Sequence, residues 1–338
     1  MTDRSDGAAG EGRAAGAGGA AGATGLGGSA GSGAAARPSI AIVGVGAIGV
    51  VVADALSGAA DVILCRRGSE RTMLLQDGDA TRTVDATVVG SPEALRAAGI
   101  GPVDWIVVTT KAQDVASAGP WFDALVGPDT RIAVLQNGIG HADRVARWVP
   151  AERVLPATVF IVAERTATDL VELRALNSVV VPDTALGEAF AELAGAHLPV
   201  RIDPAFATTS WRKLILNSAL NSVTTLTSRT ADVCADPAMR PVIERMLREG
   251  LAVAAASGIE FGPEEHGWML ANLDGLPPGT ISSMQADRRS GRPLEHDYIT
   301  GELVRRGREL GVDVSALQTI HALLDSLRAP SPRDSLAA

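Results

Sequence analysis

The fold is decided by SIAIVGVGAIG, Ser39 to Gly49. Its first five residues, Ser39–Val43, form a short apolar run rich in β-branched side chains, as in a parallel strand buried on both faces. Gly44, Gly46 and Gly49 then follow in GxGxxG spacing. Residues 50–56 read as a helix, and a second strand, Asp61–Cys65, ends in Arg66-Arg67-Gly68. A strand, glycine turn, helix and strand within about thirty residues is the frame that makes the glycine spacing informative. Outside that frame the spacing is weak, because the chain holds 37 glycines. Inside it, Gly44 permits a tight turn, Gly46 lets the main chain approach a pyrophosphate, and Gly49 lets helix and strand pack closely. The helix start adds unpaired N–H groups and a partial positive charge. A dinucleotide site formed by Gly44, Val45, Gly46, Ala47, Ile48 and Gly49 is expected.

The end of the second strand selects the cofactor. An acidic residue there would hold a ribose 2′-OH, but this chain has Arg66 and Arg67, whose guanidinium forks suit a 2′-phosphate. NADP(H) is the expected cofactor. Two further strands, at 103–110 and 131–136, run into Lys111 and into Asn137-Gly138. Ligands of open parallel sheets sit beyond such strand ends. Lys111 reads either as a phosphate or ribose contact or as a solvated loop lysine, and Asn137 as a ligand contact or part of a turn. Residues 155–200 suit further short strands, such as 178–181, and one helix.

From about residue 205 the pattern turns helical, over 208–227, 237–257, 263–273, 282–290, 294–310 and 316–327. Gly258, Pro277-Pro278-Gly279, Gly291 and Gly311 punctuate it. The expected fold class is α/β, an N-terminal Rossmann-type doubly wound sheet followed by an all-α C-terminal domain. The expected boundaries are a disordered Gly/Ala-rich tail at 1–37, a nucleotide-binding domain at 38–204, a helical substrate domain at 205–330 and a flexible end at 331–338. The cleft between the two domains is the natural place for a small substrate.

Composition excludes several other classes. The chain has 338 residues and a formal charge of -9, which argues against nucleic-acid or anionic-membrane partners. Apolar residues make up 46% but aromatics only 3%, so the core must be built from Ala, Val, Leu and Ile. Cys65 and Cys234 form no CxxC unit, which suits a reduced, cytoplasmic protein. The start lacks the leucine-rich core of a signal peptide, and no apolar run reaches a membrane span. The five histidines show no paired metal spacing, and Glu264-Glu265-His266 reads as a helix start after Pro263; no metal is expected.

One helix is oddly decorated. In WRKLILNSALNS, Trp211 to Ser222, Lys213, Asn217 and Asn221 recur at four-residue spacing and so share one stripe, with Thr224 close by. Ile215, Leu216, Ala219, Leu220 and Val223 are expected on the opposite side. Solvated helix faces are usually rich in Glu, Lys and Arg, whereas this stripe carries one ammonium among neutral hydrogen-bonding groups. It reads as the lining of a pocket. Further on, Ser282 or Ser283 suits a helix cap, and Glu295, just after Pro293, suits a first helical turn.

Taken in order, Gly44–Gly49, Thr110-Lys111-Ala112, Gln136-Asn137-Gly138, Trp211-Arg-Lys-Leu with Asn217 and Asn221, and Ser282-Ser283-Met284 with Glu295 resemble the ketopantoate reductase (2-dehydropantoate 2-reductase) family. The resemblance runs from about Ser39 to Leu327. It implies hydride transfer from NADPH to the C2 ketone of 2-dehydropantoate, giving pantoate for pantothenate and coenzyme A. It also implies that Lys213 donates the proton, that Asn217, Asn221 and Ser283 contact the substrate, and that Arg66, Lys111, Asn137 and Glu295 contact the cofactor or the catalytic centre. Asn137 is implied at both ligands, Glu295 near Lys213 to keep it charged, and Ala163 as a main-chain cofactor contact. The implied partner is a small 2-oxo acid, and the expected assembly is a monomer or homodimer. Three places depart from the family pattern: Ser222 stands where a proline is common, Ser228–Asp232 lacks an Asn-Gly pair, and Asp169–Pro182 lacks the usual glycine-rich β pattern. A paralogous reductase of another 2-oxo acid, or a regulator that binds NADP without turnover, are the alternative readings.

Overall fold

The computed structural model describes residues 37–327, Ser69 apart. Most of the expected Gly/Ala-rich tail and all of the expected flexible end at 331–338 lie outside the described residues. Ten strands form one sheet: β1 (Ser39–Val43), β2 (Asp61–Cys65), β3 (Leu74–Asp77), β4 (Ala80–Thr83), β5 (Thr87–Val89), β6 (Trp105–Val108), β7 (Arg131–Leu135), β8 (Val154–Ala167), β9 (Leu170–Pro182) and β10 (Val200–Asp203). Their order is β4-β3-β9-β8-β7-β6-β1-β2-β5, with β10 beside β9. From β5 to β8 every neighbouring pair is parallel.

The apolar run that opens the fold shows why this sheet is covered twice. Successive side chains of a strand point to opposite faces. Ile40 and Ile42 enter a core with α1 (Ala47–Ser57) and α5 (Ala185–Ala194). Ala41 and Val43 enter another with α2 (Pro92–Ala97), α3 (Gly119–Leu125) and α4 (His141–Val145). Both sets are buried, so the strand needs no polar face.

The segment 155–200 differs from the sequence expectation. Instead of short strands it holds β8 and β9, of 14 and 13 residues, paired antiparallel. Their register shifts at Phe160/Ile161, Val162/Ala163 and Arg165/Ala167. Each shift exchanges the faces of the residues that follow, which erases the period-two signal a long strand normally carries. The β3–β4 hairpin was also unread; β4 is exposed throughout and offers no apolar alternation.

After β10 the chain is helical: α6 (Phe206–Thr227), α7 (Arg240–Ala256), α8 (Glu265–Asp274), α9 (Ser283–Arg289), α10 (Thr300–Leu310) and α11 (Ser315–Asp325). Asp203 starts α6 by accepting from Ala205 N at 2.9 Å and Thr209 Oγ1 at 2.7 Å, a carboxylate at a positive helix end. Ser228 ends it in the left-handed conformation, φ 59°. Trp211, Leu214, Ile215, Ala219 and Val223 of α6 form a core with α7, α10 and α11. A Cβ on Gly250 would stand 2.9 Å from Ile215 Cγ2, so glycine sets the close approach of α7 to α6. The expected helix 294–310 is interrupted: His296–Tyr298 is a 3-10 turn, and α10 begins at Thr300.

Candidate active site

A cleft of about 1310 Å³ opens at the carboxyl ends of β1, β2, β6 and β7 and is walled on its other side by α6, α8 and α9. Every expected site residue except Gly49 lines it. Gly49 serves from behind: a Cβ there would lie 2.3 Å from Gly44 O, so this glycine allows α1 to sit against the turn. Gly44 has φ +109°, and a Cβ on it would lie 2.3 Å from Thr110 N. Gly46 is different, because a Cβ there would meet nothing within 4 Å. It faces the cleft, and no side chain caps α1. The first-turn N–H groups of α1 therefore remain available to an anion. A backbone held tight at two glycines and bare at the third fits the pyrophosphate of a dinucleotide.

Arg66 and Arg67 stand where the sequence put them, but both forks are engaged. Arg66 donates to Asp169 Oδ1 at 2.7 Å and Thr168 O at 2.9 Å, both in the connection between β8 and β9. Arg67 donates to Ser117 Oγ at 3.0 Å. Arg165, unread in the sequence, reaches across from β8 and donates to Val45 O in the glycine turn. Burial, and after it the nearby Arg66 charge, hold the Arg165 guanidinium below its ordinary range. Such crowding of like charges is relieved by a bound anion.

The deepest part of the cleft holds a charge network. Lys111, just past β6, donates to Asp287 Oδ2 at 2.8 Å and Glu295 Oε2 at 2.9 Å. Glu295 also accepts from Ala112 N at 3.2 Å and Asn137 Nδ2 at 3.2 Å. Burial lowers the Lys111 pKa, but the two carboxylates outweigh it and hold the ammonium above its usual range. Burial likewise raises Glu295, and Lys111 with the two amides outweighs that, keeping the carboxylate ionised.

Lys213 lies across from this network. Its Nζ donates to Val159 O and stands 4.9 Å from the Phe160 ring centre. Burial pulls its pKa down to about 8, with Glu295 opposing from a distance. Glu295 thus acts on Lys213 in the expected direction, favouring the charged form against burial, but through space, because its direct ion pair is Lys111. One turn further along α6, Asn217 lines the cleft, and Asn221 follows with a buried Nδ2 that has no partner. A buried amide donor left unpaired is costly, and an oxygen of a ligand would satisfy it. The arc of this helix facing the cleft is wider than expected, because Leu216 and Leu220 also line it.

Buried hydroxyls hold that helix in place. Ser218 and Ser222 meet Thr300 Oγ1 at 3.1 and 2.9 Å, and Thr224 Oγ1 meets Ser282 Oγ at 2.7 Å. Ser282 caps α9 through Gln285 N at 3.2 Å, which puts Ser283 at the first position of the helix, in the cleft wall. Ser222, one of the departures noted above, is therefore a core contact. A second departure, Ser228–Asp232, contributes no lining residue; Thr280, Ile281, Ser282 and Ser283 do.

The cleft lining holds ten Lys or Arg and four Asp or Glu, in a chain whose total is -9. It suits anionic ligands. Asp287 was missed in the sequence, although it stands four residues after Ser283 and so on the same face of α9. Arg165 gave no comparable signal.

A doubly wound sheet with an open glycine turn, facing a lysine that can donate a proton, defines an NAD(P)-dependent oxidoreductase. The sequence matches ketopantoate reductase PanE/ApbA over residues 40–185 and ketopantoate reductase PanE/ApbA C terminal over 205–328. A 2-dehydropantoate 2-reductase of Caulobacter vibrioides is 36% identical over 292 residues, covering 85% of this chain and 98% of that protein. One from Mycobacterium tuberculosis is 35% identical over 279 residues, covering 81% and 92%. Among solved structures, a dimeric ketopantoate reductase from Staphylococcus aureus superposes with a TM-score of 0.76 at 25% identity, covering 86% of this chain and 98% of that one. The chain belongs to the ketopantoate reductase family. Among the described residues no helix is long and apolar enough to cross a membrane.

Proposed function

We propose that the protein is an NADPH-dependent reductase of 2-dehydropantoate, making pantoate for pantothenate and coenzyme A in the cytoplasm, as a monomer or homodimer. In this reading residues 38–204 hold the dinucleotide and 205–330 the substrate. The observation that carries it is the presence in one cleft of the open Gly46 turn, the Lys213 ammonium and the unpartnered Asn221 amide. The substrate follows from the relatives named above.

The fit of the dinucleotide is supported by Gly44–Ile48 at the pyrophosphate, with Lys111 and Asn137 beyond the strand ends and Ala163 offering main-chain contact from β8. Arg66 would hold the 2′-phosphate in exchange for Asp169, with Arg165 close enough to add its charge. A bound nicotinamide supplies the hydride. Lys213 hydrogen-bonds the ketone oxygen, stabilises the negative charge that develops there and gives up its proton. With a pKa of about 8 it is charged at neutral pH yet a stronger acid than an ordinary lysine. Asn217, Asn221 and Ser283 bind the carboxylate and hydroxyl oxygens without adding a charge that competes with Lys213. Asn137 orients Glu295, and Glu295 fixes Lys111.

The test is NADPH oxidation with purified protein across a panel of 2-oxo acids. The expected result is highest kcat/KM for 2-dehydropantoate. A higher value for another 2-oxo acid keeps the chemistry and changes the substrate, whereas no oxidation with any of them rejects the enzyme reading.

A further inference from the structure

Away from the cleft, the turn after Glu295 and the last helix bring together side chains far apart in the sequence. His296 and Asp297 stand on the 3-10 turn, and His321 and Asp325 stand on α11. The latter pair is spaced i, i+4, which puts both on one face of the helix. His321 Nε2 lies 2.9 Å from Asp297 Oδ1. His296 Nε2 lies 3.5 Å from Asp325 Oδ1 and 3.8 Å from Asp297 Oδ1. One ligand atom from each of His296, Asp297 and His321 lies within 4.8 Å of the others.

We propose that His296, Asp297, His321 and Asp325 bind one divalent transition-metal ion of the Zn²⁺ type. Bonds of about 2.0–2.2 Å in a tetrahedral site put ligand atoms roughly 3.3–3.5 Å apart, and of the three measured pair distances one is shorter, one matches and one is longer. Side-chain rotation closes the remainder, since the turn and α11 already pack against each other. Two imidazoles with two carboxylates suit Zn²⁺ rather than Mg²⁺ or Ca²⁺, which take oxygen ligands in sixfold or higher coordination. His296 is buried, while Asp297 and Asp325 are about half exposed, so the site has an inner wall and an open side. A depression of about 460 Å³ bordered by Asp297, Gly301 and His321 gives an ion a path in. Gly301 makes room for the ring: a Cβ there would lie 2.8 Å from His321 Nε2. A bound ion joins α11 to the turn that begins at Glu295, and so braces the network at the bottom of the cleft from outside. The separation in sequence explains why the histidines show no metal spacing when read along the chain.

The test is calorimetric titration of tag-free, full-length protein with Zn²⁺, alone and with excess Mg²⁺. The expected result is saturable binding of one ion per chain, insensitive to Mg²⁺. His321→Ala and Asp325→Ala, both at partly exposed positions, each weaken it at least about tenfold. His266→Ala, on α8, leaves it unchanged. Circular dichroism checks that every variant is folded. Absence of saturable binding overturns the proposal and leaves the four residues as ordinary ion pairs. So does unchanged affinity in folded His321→Ala, or an equal loss in His266→Ala.

Discussion

The two walls of the cleft are made differently. The glycine turn on the sheet side presents main chain, with the N-terminus of α1 beside it. The helical side presents side chains from one line of α6, held by hydroxyls packed behind them. At the glycine turn the proposed function depends on where the backbone runs, and along α6 on which atoms end each side chain. Substitutions therefore separate the two: at the turn they act through steric fit, and along α6 through chemistry at constant fold.

The sharpest break is at Lys213. Lys213→Met lowers kcat by about 10²–10⁴-fold, the range for a lost general acid, while NADPH affinity measured by fluorescence stays within a factor of a few. Thermal melting distinguishes this from damage. The Lys213 pKa is lowered from 10.5 to about 8 in the folded protein, so the charged lysine weakens the fold at neutral pH, and that cost is relieved as pH rises from about 8 toward 10.5. The variant melts higher than the parent at pH 7; a lower melting point means that burial of the charged lysine does not cost stability.

The glycine turn provides the opposite outcome. Gly44→Ala meets both positive φ and the Thr110 main chain, and costs about 3 kcal/mol in a denaturant titration. Gly46→Ala has open space and stays within about 0.5 kcal/mol of the parent, yet it weakens NADPH binding. Equal stability of the two variants would erase the distinction between a turn glycine and a ligand glycine.

Arg66→Ala follows, with a loss of about 1.5–3 kcal/mol for a charge-assisted contact. It is seen in Kd for NADPH and largely absent for NADH. Asp169→Asn acts in the other direction, because it frees the fork that Asp169 now holds; it tightens NADPH. Equal losses for both cofactors in Arg66→Ala would move the 2′-phosphate elsewhere.

The smallest effect is on the pH profile. With Lys213 as the proposed proton donor its protonated form is the active one, and kcat/KM falls by about tenfold per unit above pH 8. His141 cannot produce such a limb, because burial keeps its pKa down to about 3. A profile flat to pH 10 assigns the proton to another donor.

Much of this was legible in the chain because the signals are local. Ser39–Val43, the glycines and the Lys213 line each declare themselves within a dozen residues. The long β8–β9 pair did not, since its register shifts cancel the alternation by which a strand is recognised. Nor did the partner of Glu295. Lys111 lies 184 residues away, and nothing along the sequence ranks it above Lys213 as the cation Glu295 meets. Asp287 was within reach, one helical turn past Ser283; Arg165, at the end of an unrecognised strand, was not.

The concentration of Lys and Arg inside the cleft has a kinetic consequence. With the cleft positive and the whole chain negative, an approaching anion is repelled by most of the surface and drawn in at one mouth. Low-dielectric walls focus that field, and salt screens it over a Debye length of about 8 Å at physiological ionic strength. Ionic strength therefore acts first on how fast cofactor and substrate arrive, and only afterwards on how long they stay.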